Sequence, residues 1–170
     1  MNSFKRKRFG FVFGYGSDTE ADVIKALTDR HPEYIGDAVL NGYELRIQYL
    51  DEISDVTVKK ILRNAWDDNF RSYVIIENPA KSVMGKLYKI WIGDRHALDE
   101  WELVDLGWYQ KVFVDVELTR NGKRYRAETQ VLAPGSSARG TVPDGEVKHP
   151  WLQPKRQFIQ TAEKLRDLQR

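Results

Sequence analysis

Along this chain the spacing of apolar residues changes several times, and each change marks an element. Phe9-Gly10-Phe11-Val12-Phe13 is an aromatic and β-branched run that stops at Gly14-Tyr15-Gly16-Ser17, the pattern of a strand entering a tight turn. Ser17 and Glu20 have capping-box spacing. A helix is therefore predicted next, with Val23, Ile24 and Leu27 on its buried face and its end at Arg30-His31-Pro32. Between Ala38 and Leu50 a turn at Asn41-Gly42 precedes the alternating set Tyr43, Leu45, Ile47 and Tyr49, which reads as a strand with one wet face. Asp55 begins a second helix, whose apolar positions Val58, Ile61, Leu62 and Ala65 recur at helical spacing and are completed by Trp66.

Two strands follow, Ser72 to Ile76 and Val83 to Trp91, on either side of the turn residues Glu77-Asn78-Pro79. A short helix from about Asp94 to Leu103 leads to Gly107. Trp108 to Leu118 and Lys123 to Leu132 then form a hairpin around Asn121-Gly122, the strongest local turn signal in the chain. Pro134 to Val147 is rich in glycine, proline and serine and nearly free of apolar residues, so a mobile loop is expected there. Trp151, Phe158, Ile159, Ala162 and Leu165 predict a terminal helix. There is no internal repeat. The order of elements is neither a regular βαβ alternation nor a pure barrel, and it fits an α+β fold around a mixed, closed sheet, a small barrel with flanking helices.

Composition narrows the organisation and the chemistry. With 170 residues, 41% of them apolar, the chain has material for one core. The expected organisation is a single domain over 9–170, with a loop at 134–147 and a basic flexible tail at 1–8. The 27 Lys and Arg nearly balance the 25 Asp and Glu, so no global field points to nucleic acid or an anionic membrane. Lys5-Arg6-Lys7-Arg8 reads as a solvated terminus. The absence of cysteine excludes disulfides, thiolate chemistry, iron–sulfur clusters and cysteine-based zinc sites. His31, His96 and His149 lack metal-ligand spacing, so no metal site is expected from them. The run from Phe9 to Tyr15 is too short for a secretory core or a membrane span, which favours a soluble, cytoplasmic protein. A monomer or homodimer is expected.

Two segments could carry chemistry. At the first, the strand, glycine turn and helix from Phe9 to Leu27, backbone N–H groups and the positive end of a helix dipole would point outward together. Such a turn either cradles a carboxylate or oxyanion or merely makes the bend. It is neither a Walker loop nor a dinucleotide fingerprint. At the second, Leu98, Trp101 and Glu102 stand at i, i+3 and i+4 and share one helix face, which puts a carboxylate on an apolar stripe. Desolvation there would raise its pKa and suit it to take and return a proton near neutral pH. At a frayed last turn, the same side chain would instead reach water.

In order and spacing, the two segments resemble the gamma-glutamylcyclotransferase family, AIG2-like proteins included. The Tyr-Gly-Ser turn of that family is matched by Phe13-Gly14-Tyr15-Gly16-Ser17, and its Val-x-Gly-x-x-Tyr strand by Val83-Met84-Gly85-Lys86-Leu87-Tyr88. Its Leu-Asp-x-x-Glu segment is matched by Leu98-Asp99-Glu100-Trp101-Glu102, followed by Gly107-Trp108-Tyr109. The resemblance covers roughly Phe9 to Leu132. It implies a barrel fold and a small γ-glutamyl substrate, cyclised without metal or cofactor to 5-oxoproline and an amine or amino acid, as in glutathione metabolism. Glu102 would be the acid/base, and Tyr15, Gly16, Ser17, Asp18 and Tyr109 would contact the substrate. Leu103, Asp18, Gln110 and Lys111 depart from the family pattern. They leave two further readings: a non-catalytic γ-glutamyl or carboxylate-binding protein on the same fold, and a specialised cyclotransferase that removes a γ-glutamyl tag from a larger substrate.

Overall fold

The structure, a computed structural model, describes residues 9–16, 21–101 and 108–142, together with 156, 157, 159–161 and 163 near the C-terminus. The chain order is β1 (Phe9–Gly14), α1 (Ala21–Thr28), β2 (Glu33–Tyr49), α2 (Val56–Ala65), β3 (Arg71–Trp91), α3 (Arg95–Trp101), β4 (Tyr109–Leu118), β5 (Arg124–Leu132) and β6 (Gly140–Thr141). The first five strands close into a barrel in the order β3-β1-β5-β4-β2, with β2 returning to β3. All neighbours are antiparallel except β1 and β5, so the sheet is mixed. The last seam is narrow, Ala38 and Val39 facing Leu118 and Glu117. The short β6 lies on β2 at Arg46 and Ile47.

Alternation along the strands divides the apolar residues between the barrel interior and its outer wall. Phe13, Tyr15, Leu40, Tyr73, Ile75, Leu87, Val116 and Leu118 fill the interior. On one outer face, α1 and α3 cover Val12, Tyr88 and Ile90 with Val23, Ile24, Leu27 and Leu98, and Ile159 packs against the same cluster. On another, α2 brings Val58 and Leu62 onto Val74, beside Trp66, Phe70, Trp108 and Tyr109. Fully burying each such side chain contributes about 1.5–3 kcal/mol. Gly85 fits the seam between β1 and β3 because nothing larger would: a Cβ there would lie 2.4 Å from the Gly14 carbonyl oxygen.

Several sequence expectations change. The strands expected at 72–76 and 83–91 are one strand, β3, and Asn41-Gly42 lies within β2 instead of forming a turn ahead of it. Instead, Asn41 pairs with Ser82 and Tyr43 with Glu77, so residues 78–81 bulge opposite Gly42, whose φ is +85°. The turn residues are correctly read as irregular, but they kink a continuous ladder instead of reversing the chain. Ile61 faces outward, leaving Val58, Leu62 and Trp66 as the buried stripe of α2. Asp55 caps that helix through the Val58 N–H. The expected mobile loop at 134–147 is held over its described part, 134–142. The Gln48 amide donates to the Ser137 carbonyl, the Arg139 N–H donates to the buried Glu52 carboxylate, and β6 pairs with β2. The proposed Ser17/Glu20 capping box, and Trp151, Phe158, Ala162 and Leu165 of the terminal helix, lie outside the described residues.

Candidate functional site

Because β1 and β5 run parallel, their C-terminal ends meet at one end of the barrel. There the Thr129 hydroxyl donates to the Phe13 carbonyl at 2.9 Å, and the Tyr15 hydroxyl donates to the Gln130 carbonyl at 2.5 Å. The Tyr15 side chain thus locks the turn from inside and is almost wholly buried. Beyond it the chain is open: outside its chain neighbours, the nearest atom to a Cβ placed on Gly16 would be the Tyr73 Cβ at 3.9 Å. Ser17 and Asp18, predicted to continue this turn, lie outside the described residues.

Tyr109 opens β4 at the same end. Its phenol donates to the Tyr73 carbonyl at 2.7 Å and lies 2.5 Å from the Ser72 hydroxyl. Tyr73 is therefore the link that brings the Tyr15-Gly16 turn and Tyr109 together. The Tyr109 ring stacks on Trp108 with centroids 4.4 Å apart, and Trp108 in turn packs on Phe70. The Trp108 indole N–H donates to Gln48 Oε1 at 2.9 Å, and Gln48 Nε2 reaches the Ser137 carbonyl. This polar wall was not singled out from the sequence. Its one advance signal is Gln48 itself, a polar residue between the alternating apolar Ile47 and Tyr49, read as wet but found buried.

Glu102 lies in 102–107, outside the described residues. Trp101 and Trp108 flank that segment in sequence, and both are placed. Trp101 ends α3, meets Trp66 edge-on at 5.8 Å, and touches both outer clusters. At its start α3 is fixed by charge: Arg95 lies 2.7 Å from the buried Glu128 carboxylate, which Lys111 approaches to 3.4 Å. The Arg95 guanidinium fills the space over Gly10, where a Cβ would come within 2.2 Å of it. Sequence alternation in β5 puts Glu128 on the outer face, where it would be solvated. α3 covers it instead.

Next to this end of the barrel an open cleft of about 790 Å³ lies between the end of β2, α2 and the start of β3. Among the described residues no group of His, Asp and Glu could hold a metal ion, and no helix is long and apolar enough to cross a membrane.

The family model for gamma-glutamyl cyclotransferase, AIG2-like proteins matches residues 11–153. Among solved structures, an uncharacterised human protein is 19% identical with a TM-score of 0.63, the match covering 77% of this chain and 70% of that one. A gamma-glutamyl cyclotransferase is 18% identical with a TM-score of 0.62, over 76% of this chain and 69% of the other. YkqA from Bacillus subtilis is 19% identical with a TM-score of 0.57, over 96% of this chain and 50% of its own. At these identities the structures speak for the fold. No curated protein matches the sequence significantly.

Proposed function

Because the chain belongs to the gamma-glutamyl cyclotransferase, AIG2-like family, we propose that it cyclises a γ-glutamyl group, releasing 5-oxoproline and the amine or amino acid it was joined to. The α-amine nitrogen of the glutamyl group attacks its own γ-carbonyl carbon. A C–N bond forms and closes a five-membered lactam, and the C–N bond to the leaving amine breaks. The nucleophile is tethered, so the protein's task is to hold the chain in an attack geometry. Glu102 takes the proton from the α-ammonium and returns it to the leaving nitrogen. The backbone of Tyr15, Gly16 and Ser17 holds the glutamyl carboxylate or the developing oxyanion. Tyr109 donates its hydroxyl hydrogen bond to the Tyr73 carbonyl, so it meets the substrate ammonium through an oxygen lone pair, as an acceptor.

The observation that carries this reading is the meeting of Tyr15, Gly16 and Tyr109 around Tyr73 at one barrel end, with Trp101, the residue before Glu102, packed on the same wall. Glu102→Gln keeps the shape and removes the proton relay. Release of 5-oxoproline from γ-glutamyl amines should fall roughly 10²–10⁴-fold, with an unchanged circular dichroism spectrum and melting temperature. Normal turnover by that variant would remove Glu102 from the mechanism.

A further inference from the structure

The cleft beside the site is lined by four cations, Lys59, Arg63, Arg71 and Arg139, and three aspartates, Asp51, Asp67 and Asp68. Two of the cations are already matched: Arg63 meets Asp68 at 2.7 Å and Arg139 meets Asp51 at 2.8 Å. The third aspartate is tied into its own turn, accepting from the Asn69 N–H at 2.8 Å. Arg71, exposed on the cleft wall, has no acidic partner among the described residues, and Lys59 makes no ion pair there, acting on Asp51 only at a distance. The wall they share leads directly to the candidate site. Arg71 pairs with Tyr49 in the ladder and precedes Ser72, which meets Tyr109, while Phe70 lines the cleft and packs on Trp108.

We propose that this cleft receives the leaving group, and that Arg71, with Lys59, binds an anionic carboxylate on it. The preferred substrates are then γ-glutamyl amino acids or peptides with a free carboxylate, in preference to neutral or cationic γ-glutamyl amines. This rests on the cyclotransferase reading for the identity of the ligand. An arginine fork matches a carboxylate in two parallel hydrogen bonds, and the cleft is roomy enough to admit more than one residue of a leaving peptide. Arg63 and Arg139, each holding its own aspartate, line the cleft without drawing further anions into it.

The test uses the full chain and a matched pair of probes, γ-glutamyl-alanine and γ-glutamyl-alaninamide, which differ only in the leaving group's carboxylate. Binding is measured by calorimetry and turnover by release of 5-oxoproline. The carboxylate compound should bind about tenfold more tightly, with the gap shrinking as salt rises. Arg71→Ala should narrow that gap to within about twofold, Arg71→Lys should keep part of it, and Lys59→Ala should have an intermediate effect. Turnover of both probes with equal binding would overturn the subsite and leave the cyclotransferase reading standing. Discrimination in binding without 5-oxoproline would uphold the subsite and overturn the reaction. Failure of the carboxylate probe to bind would overturn the subsite.

Discussion

The two ends of the barrel are built from similar residues used in opposite ways. At the end where β1 starts, aromatic side chains lie on the surface. Phe9 stacks on Trp91 at 4.2 Å, Lys89 sits over Phe9, and Arg30 lies over Trp91 while pairing with Asp94 at 3.5 Å. These contacts are partly wet, each contributing about 0.5–1 kcal/mol. The cavity they leave is small, about 70 Å³. At the end where β1 finishes, Tyr15, Tyr73, Trp108 and Tyr109 are buried, and the polar atoms of Tyr15, Trp108 and Tyr109 are directed onto named carbonyls, a hydroxyl and an amide. Stacking closes an end; buried hydrogen bonds fix where each donor and acceptor points. Only the second arrangement can present groups to a reacting substrate within fractions of an ångström.

α3 joins the two ends, starting at Arg95 beside Gly10 and finishing at Trp101. The largest effect is expected where it is anchored. Glu128→Ala leaves Arg95 and Lys111 facing each other without their carboxylate, at a cost of about 3 kcal/mol in urea denaturation. In the proposed mechanism the turnover of any surviving fold should drop as well, since the helix leading to Glu102 loses its fixed start. Gln48→Leu keeps the volume but strands the Trp108 N–H and the Ser137 carbonyl, costing about 2 kcal/mol. Tyr109→Phe removes the hydroxyl that meets Tyr73 and Ser72, costing about 1 kcal/mol. In the proposed mechanism its activity should fall further than its stability, and equal losses in both would reduce Tyr109 to a structural role.

What the sequence made legible follows from how local each signal is. The Asn121-Gly122 hairpin and the helix start at Asp55 were readable because a few adjacent residues determine them: Gly122 takes φ +69° and Asp55 accepts from the N–H three residues ahead. The Val83-Met84-Gly85-Lys86-Leu87-Tyr88 strand was readable as a motif, and its glycine has a reason in the approach of β1. The continuity of β3 was not, because a bulge and a turn use the same Asn, Pro and Gly residues and only the partner strand decides between them. The same holds for Gln48, Glu128 and the stretch 134–142. Each looks solvated in one dimension, and each is claimed by an element distant in sequence.

Smaller effects should come from the opposite end. Trp91→Ala exposes Phe9 and releases Arg30, with about 1 kcal/mol of stability lost and no change in turnover. A fall in turnover there comparable to that of Tyr109→Phe would break the division between the two ends. The finest test is Asp94, whose carboxyl is held above its ordinary pKa by burial, only partly offset by Arg30. A raised folded pKa means that the folded state binds this proton more tightly than the unfolded chain does. Asp94 therefore favours folding below its unfolded pKa, and that contribution is lost as pH rises through the folded one. At neutral pH the ionised group is a small burden, so Asp94→Asn should melt slightly higher than the parent at pH 7, by less than about 1 kcal/mol. The advantage should vanish as pH falls toward 4. An advantage that instead grew toward acid would mean that the pairing with Arg30 outweighs burial, making this end electrostatically specific after all.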